Sequence, residues 1–375
     1  MKYVSDEEQE HLFLNECSPE EVVEYQNLLG LALQEYSQDP SLNPPRMIAE
    51  NPHGTTILHM PISSDTYNGI KTLAYNPASD LGFVGNVSCL NKKTGELEGI
   101  VSAKVLTGFR TALASCIGLQ KLLETLEWNA QVVSVASDKE LTQNDTKDIE
   151  ITVLGSGLQA FWHIVIAIKN LLIYKSAISN IKINVFYRRN KMSEENVAKI
   201  LKLGNFVQVE QYQHDGTNSK NDLIGEKINN SDIIFGCTPS IHPTLKFKYF
   251  QRPTAEGVAT RTGFFRKNKI TYVSLIGSYK PEMHEADDEF MQFFTKNGNQ
   301  NIIVDSKEQV LIEAGEFIDN KVQPQNLVEI GQLIKSQSFM PSVYSEKLDR
   351  RFVFCKLVGL AVMDISVAQH IIASS

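Results

Sequence analysis

The chain has 375 residues, more than a single hydrophobic core usually organises, so two domains are expected. Hydrophobic residues make up 42% and charged residues 21%, which fits a folded globular protein and excludes wholesale disorder. A net charge of −8 argues against nucleic acid or an anionic membrane as the main partner, because either would require clustered Lys and Arg; small molecules are the expected ligands.

The N-terminus, "MKYVSDEEQEHLFLNE", is acidic and has no apolar core of a signal peptide. No window approaches the roughly 18 consecutive apolar residues of a membrane span. Cys17, Cys89, Cys116, Cys237 and Cys355 lie far apart, without a C-x-x-C pair or a His at ligand spacing, so neither a disulfide framework nor a metal site is expected. A reducing, cytoplasmic setting follows.

In chain order, "CSPEEVVEYQNLLGLALQEYSQ" predicts a helix. Ser18 is its N-cap, Pro19 its first helical residue, and Glu21 closes a capping box. From Pro45 to Ala103, "TTILHMPI", "GIKTLAYN", "LGFVGNVSCLN" and "LEGIVSA" predict a small, largely antiparallel sheet. "LTGFRTALASCIGLQKLLETL" predicts a helix with Thr107 as N-cap and Leu113, Ile117, Leu119, Leu122 and Leu123 turned to a core. The polar stretch Asp138 to Asp148 reads as a surface loop or insertion. Beyond it, apolar runs ("IEITVL", "IKINVFYRR", "SDIIFGCTPS", "ITYVSLIGS", "NIIVDS") alternate with helix-like segments, the pattern of parallel strands and βαβ crossovers. The C-terminal "RFVFCKLVGLAVMDISVAQHII" is helix-like in its second half.

Three groups of residues carry chemistry. "VLGSGLQAF" places Gly155, Gly157 and Ala160 as G-x-G-x-x-A between a strand and a helix. This is either a dinucleotide pyrophosphate turn or an ordinary strand-helix crossing. Where an NAD site would carry Asp or Glu, the end of the next strand carries Arg188 and Arg189. These suit a 2′-phosphate, and so NADPH over NADH, or form a solvated basic loop. In "GFRTA", Arg110 and Thr111 stand in the first turn of the expected helix. There a cation opposes the helix dipole by about 0.3 to 1 kcal/mol and calls for an anion: a ligand carboxylate, a cofactor phosphate, or a carboxylate of the protein itself. Arg46 and Lys71 on the early strands could join Arg110 as a carboxylate clamp.

Taken together, "PPRMIAENPHGTTILHMPI", "GIKTLAYN", "TGELEGIVSAKVLTGFRTALAS", "VLGSGLQA", "SDIIFGCTPS", "LIGSYKPEMHE", "VDSKEQVLIEAGE" and "FCKLVGLAVMDISVA" resemble, in order, the signature segments of the ornithine cyclodeaminase and mu-crystallin family. The resemblance spans roughly residues 18 to 372. It implies an α/β fold in which a Rossmann dinucleotide-binding domain, residues 126–329, is inserted into an α+β substrate and dimerisation domain of residues 1–125 plus 330–375. The resemblance further implies dimerisation through that second domain, NAD or NADP as cofactor and a small carboxylate as ligand; Arg188 and Arg189 add the expectation of NADPH over NADH.

By the same resemblance, Arg46, Lys71 and Arg110 match the active-site cations, and Gly155, Ser156, Gly157, Leu158 and Gln159 the pyrophosphate turn. Thr238 and the run Ile276, Gly277, Ser278 and Tyr279 match loops bordering the cofactor, while Val358 and Gly359 match the segment near the nicotinamide. Two positions depart from the cyclodeaminases: Tyr279 stands where they carry an Asp acid/base, and Leu58 where they carry a Glu. A phenol with a pKa near about 10 replaces a carboxylate poorly in the proton transfers of deamination. The loop is closer to the mu-crystallin type, which is associated with ketimine reduction. The expected function is therefore an NADPH-dependent reductase of a C=N bond beside a carboxylate. The rivals are a binding protein without turnover and a cyclodeaminase with relocated acid/base groups.

Overall fold

The computed structural model describes residues 2–79, 81–137, 147–174, 178–214, 218–251, 270–335 and 340–374. Most of the expected insertion, residues 138–146, therefore lies outside the described residues. The chain divides into two compact units. The first comprises Met1–Ala114, Ile330–Lys335 and Gly359–Ser375, and the second Ser115–Glu329 and Ser336–Val358.

The first unit holds a six-stranded sheet of β1 (Lys2–Val4), β2 (Met47–Glu50), β3 (Thr56–Ser63), β4 (Asn68–Tyr75), β5 (Val84–Leu90) and β6 (Leu97–Ser102), in the order β1-β6-β5-β4-β3-β2. The pairs from β2 to β6 are antiparallel, as the short alternating runs predict, while β1 adds in parallel to β6. The helix Pro19–Gln38 begins as its sequence dictates: Ser18 Oγ accepts from the Glu21 N–H, and the Ser18 N–H donates to the Glu21 carboxylate. The core is aromatic where Phe13 stacks on Phe109 at a centroid distance of 3.5 Å, with Tyr25 edge-on to Phe109.

The helix expected from Thr107 starts earlier and runs Ala103–Ser137. Its N-terminus is capped from a distance in sequence, since the Val105 N–H donates to Asp6 Oδ1 at 2.8 Å, a partner that no local signal reveals. Thr107 is consequently an interior helical residue and not an N-cap. Arg110 and Thr111 lie past the first turn, beyond the reach of the dipole argument.

The second unit is a Rossmann-type α/β fold. Its strands are β7 (Lys147–Leu154), β8 (Ile178–Tyr187), β9 (Val207–Gln213), β10 (Ile233–Gly236), β11 (Ile270–Leu275), β12 (Ile302–Val304), β13 (Leu327–Glu329), β14 (Val343–Ser345) and β15 (Arg350–Lys356), ordered β13-β12-β15-β11-β10-β7-β8-β9. All these pairs are parallel, and β14 adds antiparallel to β15. The central strands are buried on both faces, so β10 and β11 read as unbroken apolar or small residues. The sheet core includes Leu154, Phe186, Ile234, Val273, Phe290, Phe294 and Phe354.

The C-terminal run splits between the units. "RFVFCK" forms β15 between β11 and β12, and the helix Ala361–Ser374 returns to the first unit. Residues 336–358 thus depart from the expected grouping of 330–375 with the first domain, because pairing with β11 and β12 satisfies the backbone of β15 on both sides.

Candidate active site

Within the first unit, four side chains from three elements meet. Lys71 points from β4, Thr107 and Arg110 lie three residues apart on one face of helix Ala103–Ser137, and Asp364 comes from helix Ala361–Ser374. Lys71 Nζ donates to Asp364 Oδ1 at 2.6 Å and to Thr107 Oγ1 at 2.8 Å. Arg110 Nε donates to the same carboxylate oxygen at 3.1 Å. All three charged groups are buried: Lys71 is 2% exposed, Arg110 6% and Asp364 1%.

The electrostatics follow from burial and pairing. Burial lowers the Lys71 pKa to about 8, against the upward pull of Asp364; the Arg110 and Arg46 cations lower it further. Burial would raise the Asp364 carboxyl, but Arg110 and Lys71 outweigh it and hold the group below its ordinary value. Among the described residues two cations therefore face one carboxylate, leaving a surplus positive charge in a desolvated place. Asp364 Oδ2 has no hydrogen-bond partner among the described residues.

Among the described residues, no oxygen accepts from the terminal nitrogens of Arg110. Nη1 lies 3.9 Å from Met363 Sδ, and a Cβ at Gly359 would sit 3.5 Å from both Nη1 and Nη2. Gly359, at φ +97°, adopts a backbone conformation that favours glycine and lies against the guanidinium. A planar guanidinium beside a surplus positive charge is suited to a ligand carboxylate. Arg46 is exposed, just before β2, yet close enough to depress the Lys71 pKa. The Thr111 hydroxyl donates to the Thr107 carbonyl, so it is committed to its own helix.

Leu58 pairs with Leu73 and therefore shares a sheet face with Lys71, so no carboxylate reaches that face from position 58. The anion that balances Arg110 is instead Asp364. It went unnoticed in the sequence, although a lone Asp inside "LAVMDISVA" is the signal of a buried charge that must be paired.

Within the second unit, β7 ends in the glycine turn. Gly155 adopts φ +127°, and a Cβ there would come 2.9 Å from the Cys237 carbonyl oxygen. At Gly157, the N-cap of helix Leu158–Leu172, a Cβ would meet nothing within 4 Å, and no side chain caps the helix. The turn therefore offers open space beside bare backbone at a helix N-terminus, which fits a pyrophosphate. Leu158 and Gln159 are half-buried in the first helical turn, and the Ser156 hydroxyl donates to the Asn190 carbonyl at 2.6 Å. That bond ties the turn to the loop after β8, where Arg188 and Arg189 are exposed.

The other loops lie at the carboxyl ends of β10, β11 and β15. Thr238 Oγ1 donates to the Leu154 carbonyl at 2.8 Å, and the Ile276 N–H to the Gly236 carbonyl. Ser278 is fully buried, with its hydroxyl bonded to Glu316 and Lys356, so that side chain is engaged inside the protein; Tyr279 beside it is half-buried. The Val358 N–H donates to the Asp305 carboxylate. Among the described residues no group of His, Cys, Asp and Glu could hold a metal ion, and no helix is long and apolar enough to cross a membrane.

No family model matches the chain. An uncharacterized protein of Saccharomyces cerevisiae is 36% identical over 381 residues, covering 99% of this chain and 96% of its own length. A Delta(1)-pyrroline-2-carboxylate reductase of Bacillus thuringiensis subsp. konkukian is 25% identical over 386 residues, covering 99% and 95%. Among solved structures, the Thermococcus litoralis Delta(1)-pyrroline-2-carboxylate reductase in complex with NADH and L-proline superposes with a TM-score of 0.64 at 20% identity, covering 100% of this chain and 97% of that one. With the fold, the glycine turn and the ordered signature segments, these relatives place the chain in the ornithine cyclodeaminase and mu-crystallin family.

Proposed function

We propose that the protein is an oxidoreductase that uses a nicotinamide dinucleotide to reduce a C=N bond next to a carboxylate, in a cyclic ketimine or an imino acid, with NADPH preferred over NADH. The observation that carries this reading is the buried Lys71, Arg110 and Asp364 cluster, in which two cations share one carboxylate among the described residues. The relatives named as pyrroline-carboxylate reductases support the reaction class.

A bound reduced dinucleotide supplies the hydride. The chain supplies the rest: Arg110, assisted by Arg46, holds the carboxylate and so fixes the imine carbon, a positioning effect of several kcal/mol. Lys71, protonated at neutral pH with its pKa near 8, is the group able to give a proton at the nitrogen. Gly155, Gly157 and the first turn after them hold the pyrophosphate, Thr238 and Ile276 to Gly277 border the cofactor, and Arg188 and Arg189 pair with the 2′-phosphate. We also assign the protein to the cytoplasm as a homodimer. The thiols among the described residues are free, and Met47 and Ile48 on edge strand β2 are 64% and 59% exposed.

The test is NADPH oxidation with a panel of cyclic ketimines, including Δ1-pyrroline-2-carboxylate. Turnover is expected with at least one member and should fall by 100-fold or more, on the order of 3 kcal/mol, in Arg110→Ala. Saturable dinucleotide binding without turnover of any member would favour the second reading, a ligand-binding protein, for which Leu58 and Tyr279 speak because neither supplies a carboxylate.

A further inference from the structure

A second charged cluster, wholly inside the second unit, is not used by the reaction described above. Glu285, Lys356 and Glu316 are each 0% exposed. Glu285 Oε2 accepts from the Gly277 N–H at 2.5 Å, the Ser278 N–H at 3.2 Å and Lys356 Nζ at 3.4 Å, while Oε1 accepts from the Thr238 N–H at 3.4 Å. Lys356 Nζ also donates to Ser278 Oγ at 2.5 Å, and that hydroxyl donates to Glu316 Oε1 at 2.6 Å.

One carboxylate thus takes backbone N–H groups from two loops, those at the carboxyl ends of β10 and β11. Ligands of open α/β sheets bind outside these strand ends. The glycine turn at the end of β7 rests on the first of these loops: a Cβ at Gly155 would sit 2.9 Å from the Cys237 oxygen and 3.1 Å from Thr238 Oγ1, and Thr238 Oγ1 bonds the Leu154 carbonyl. Room for the carboxylate exists because glycine stands at both 236 and 277, where a Cβ would lie 2.7 Å from Glu285 Oε1. Three adjacent strand ends are therefore referenced to a single buried carboxyl group.

We propose that Glu285 is the positioning residue of the dinucleotide site: by drawing the 237–238 and 277–278 loops onto one carboxylate, it sets the backbone on which the Gly155 turn rests. The inference rests on the dinucleotide reading given above. Lys356 holds the Glu285 carboxyl by a hydrogen bond, and Ser278 links Lys356 to Glu316. The groups facing Glu285 are Lys356 from β15, Glu316 from helix Gly315–Asp319 and Cys237 from the loop after β10.

The test is calorimetric titration of the full chain with NADPH and with NADH, alongside steady-state kinetics and hydrogen exchange. In Glu285→Gln, Kd and KM for the dinucleotide are expected to rise tenfold or more, with kcat at saturating dinucleotide within about threefold of wild type. Amides 276–279 should exchange faster in the variant, while those of β12 should not change. A folded Glu285→Gln chain that binds the dinucleotide as tightly as wild type overturns the positioning role alone. A wild-type chain that binds neither dinucleotide overturns the dinucleotide reading and this inference with it. Should the variant not fold, the wild-type chain still decides: without ligand, amides 276–279 must already be protected, and rapid exchange there overturns the proposal.

Discussion

Lys71, Arg110 and Asp364 show how a single residue type changes meaning with its neighbours. On sequence alone, Lys71 and Arg110 are two cations on a strand and a helix; buried together with one carboxylate, they become a charged site whose balance each member tunes. In Asp364→Asn, Lys71 loses the anion that holds its pKa up, so that pKa falls below about 8. If Lys71 gives the proton, the high-pH limb of kcat/KM moves to lower pH by one unit or more, and a limb that stays put removes Lys71 from that role. Asp364→Ala leaves two buried cations without a partner and should destabilise the first unit by about 3–5 kcal/mol in urea unfolding.

Glu285 makes a residue-scale prediction of opposite character. Burial raises its carboxyl to about 7 from the ordinary 4.5, against the pull of Lys356, while Glu316 adds to the rise. Because the folded pKa lies above the unfolded one, the folded chain binds more protons between those values. This contribution is full below about 4.5 and is lost as pH rises through about 7. Glu285→Gln should flatten that part of the stability profile, measured by denaturant unfolding between pH 4.5 and 7.5; an unchanged slope would show that other groups set it.

At the scale of elements, the strand-turn-helix at 149–172 was legible because its requirements are local. An apolar strand, two glycines and a small third residue follow one another in the chain; the contacts that demand glycine at 155 come from Cys237 and Thr238, in the loop after β10, and lay outside that local pattern. The two glycines should respond differently to alanine. Gly155→Ala places a side chain at φ +127° against the Cys237 carbonyl and should cost about 1–3 kcal/mol of stability by thermal unfolding. Gly157→Ala meets no atom and should melt close to wild type, yet weaken dinucleotide binding if the proposed pyrophosphate site is there, since the added methyl group fills the open space beside the turn. Equal melting and equal binding in both would remove the turn from the cofactor site.

The helix start at Ala103 was less legible. Thr107 is a good N-cap by type, but the extra turn before it is held by Asp6, a residue far away in sequence. Asp6→Ala should lower stability by about 1 kcal/mol, the usual cost of a lost cap.

For the molecule as a whole, the first unit is discontinuous: it precedes the Rossmann-type sheet, returns at Ile330–Lys335 before β14 and β15, and resumes at Gly359 after them. The proposed homodimer should sediment at twice the chain mass. Ile48→Lys, on the exposed edge strand, should shift that equilibrium toward monomer without lowering the melting temperature by more than a few degrees.

The sequence by itself determined the capping box at Ser18, the alternating early strands, the apolar parallel strands and the glycine turn. Each is specified by residues within a few positions of one another, where backbone geometry and side-chain periodicity leave few choices. Only the tertiary structure decided the partners of the buried charges. Lys71 and Asp364 are 293 residues apart, and Glu285 reaches Lys356 across 71. A buried charge must be paired, but the partner is chosen by which elements pack together, and no local pattern in the chain encodes that choice.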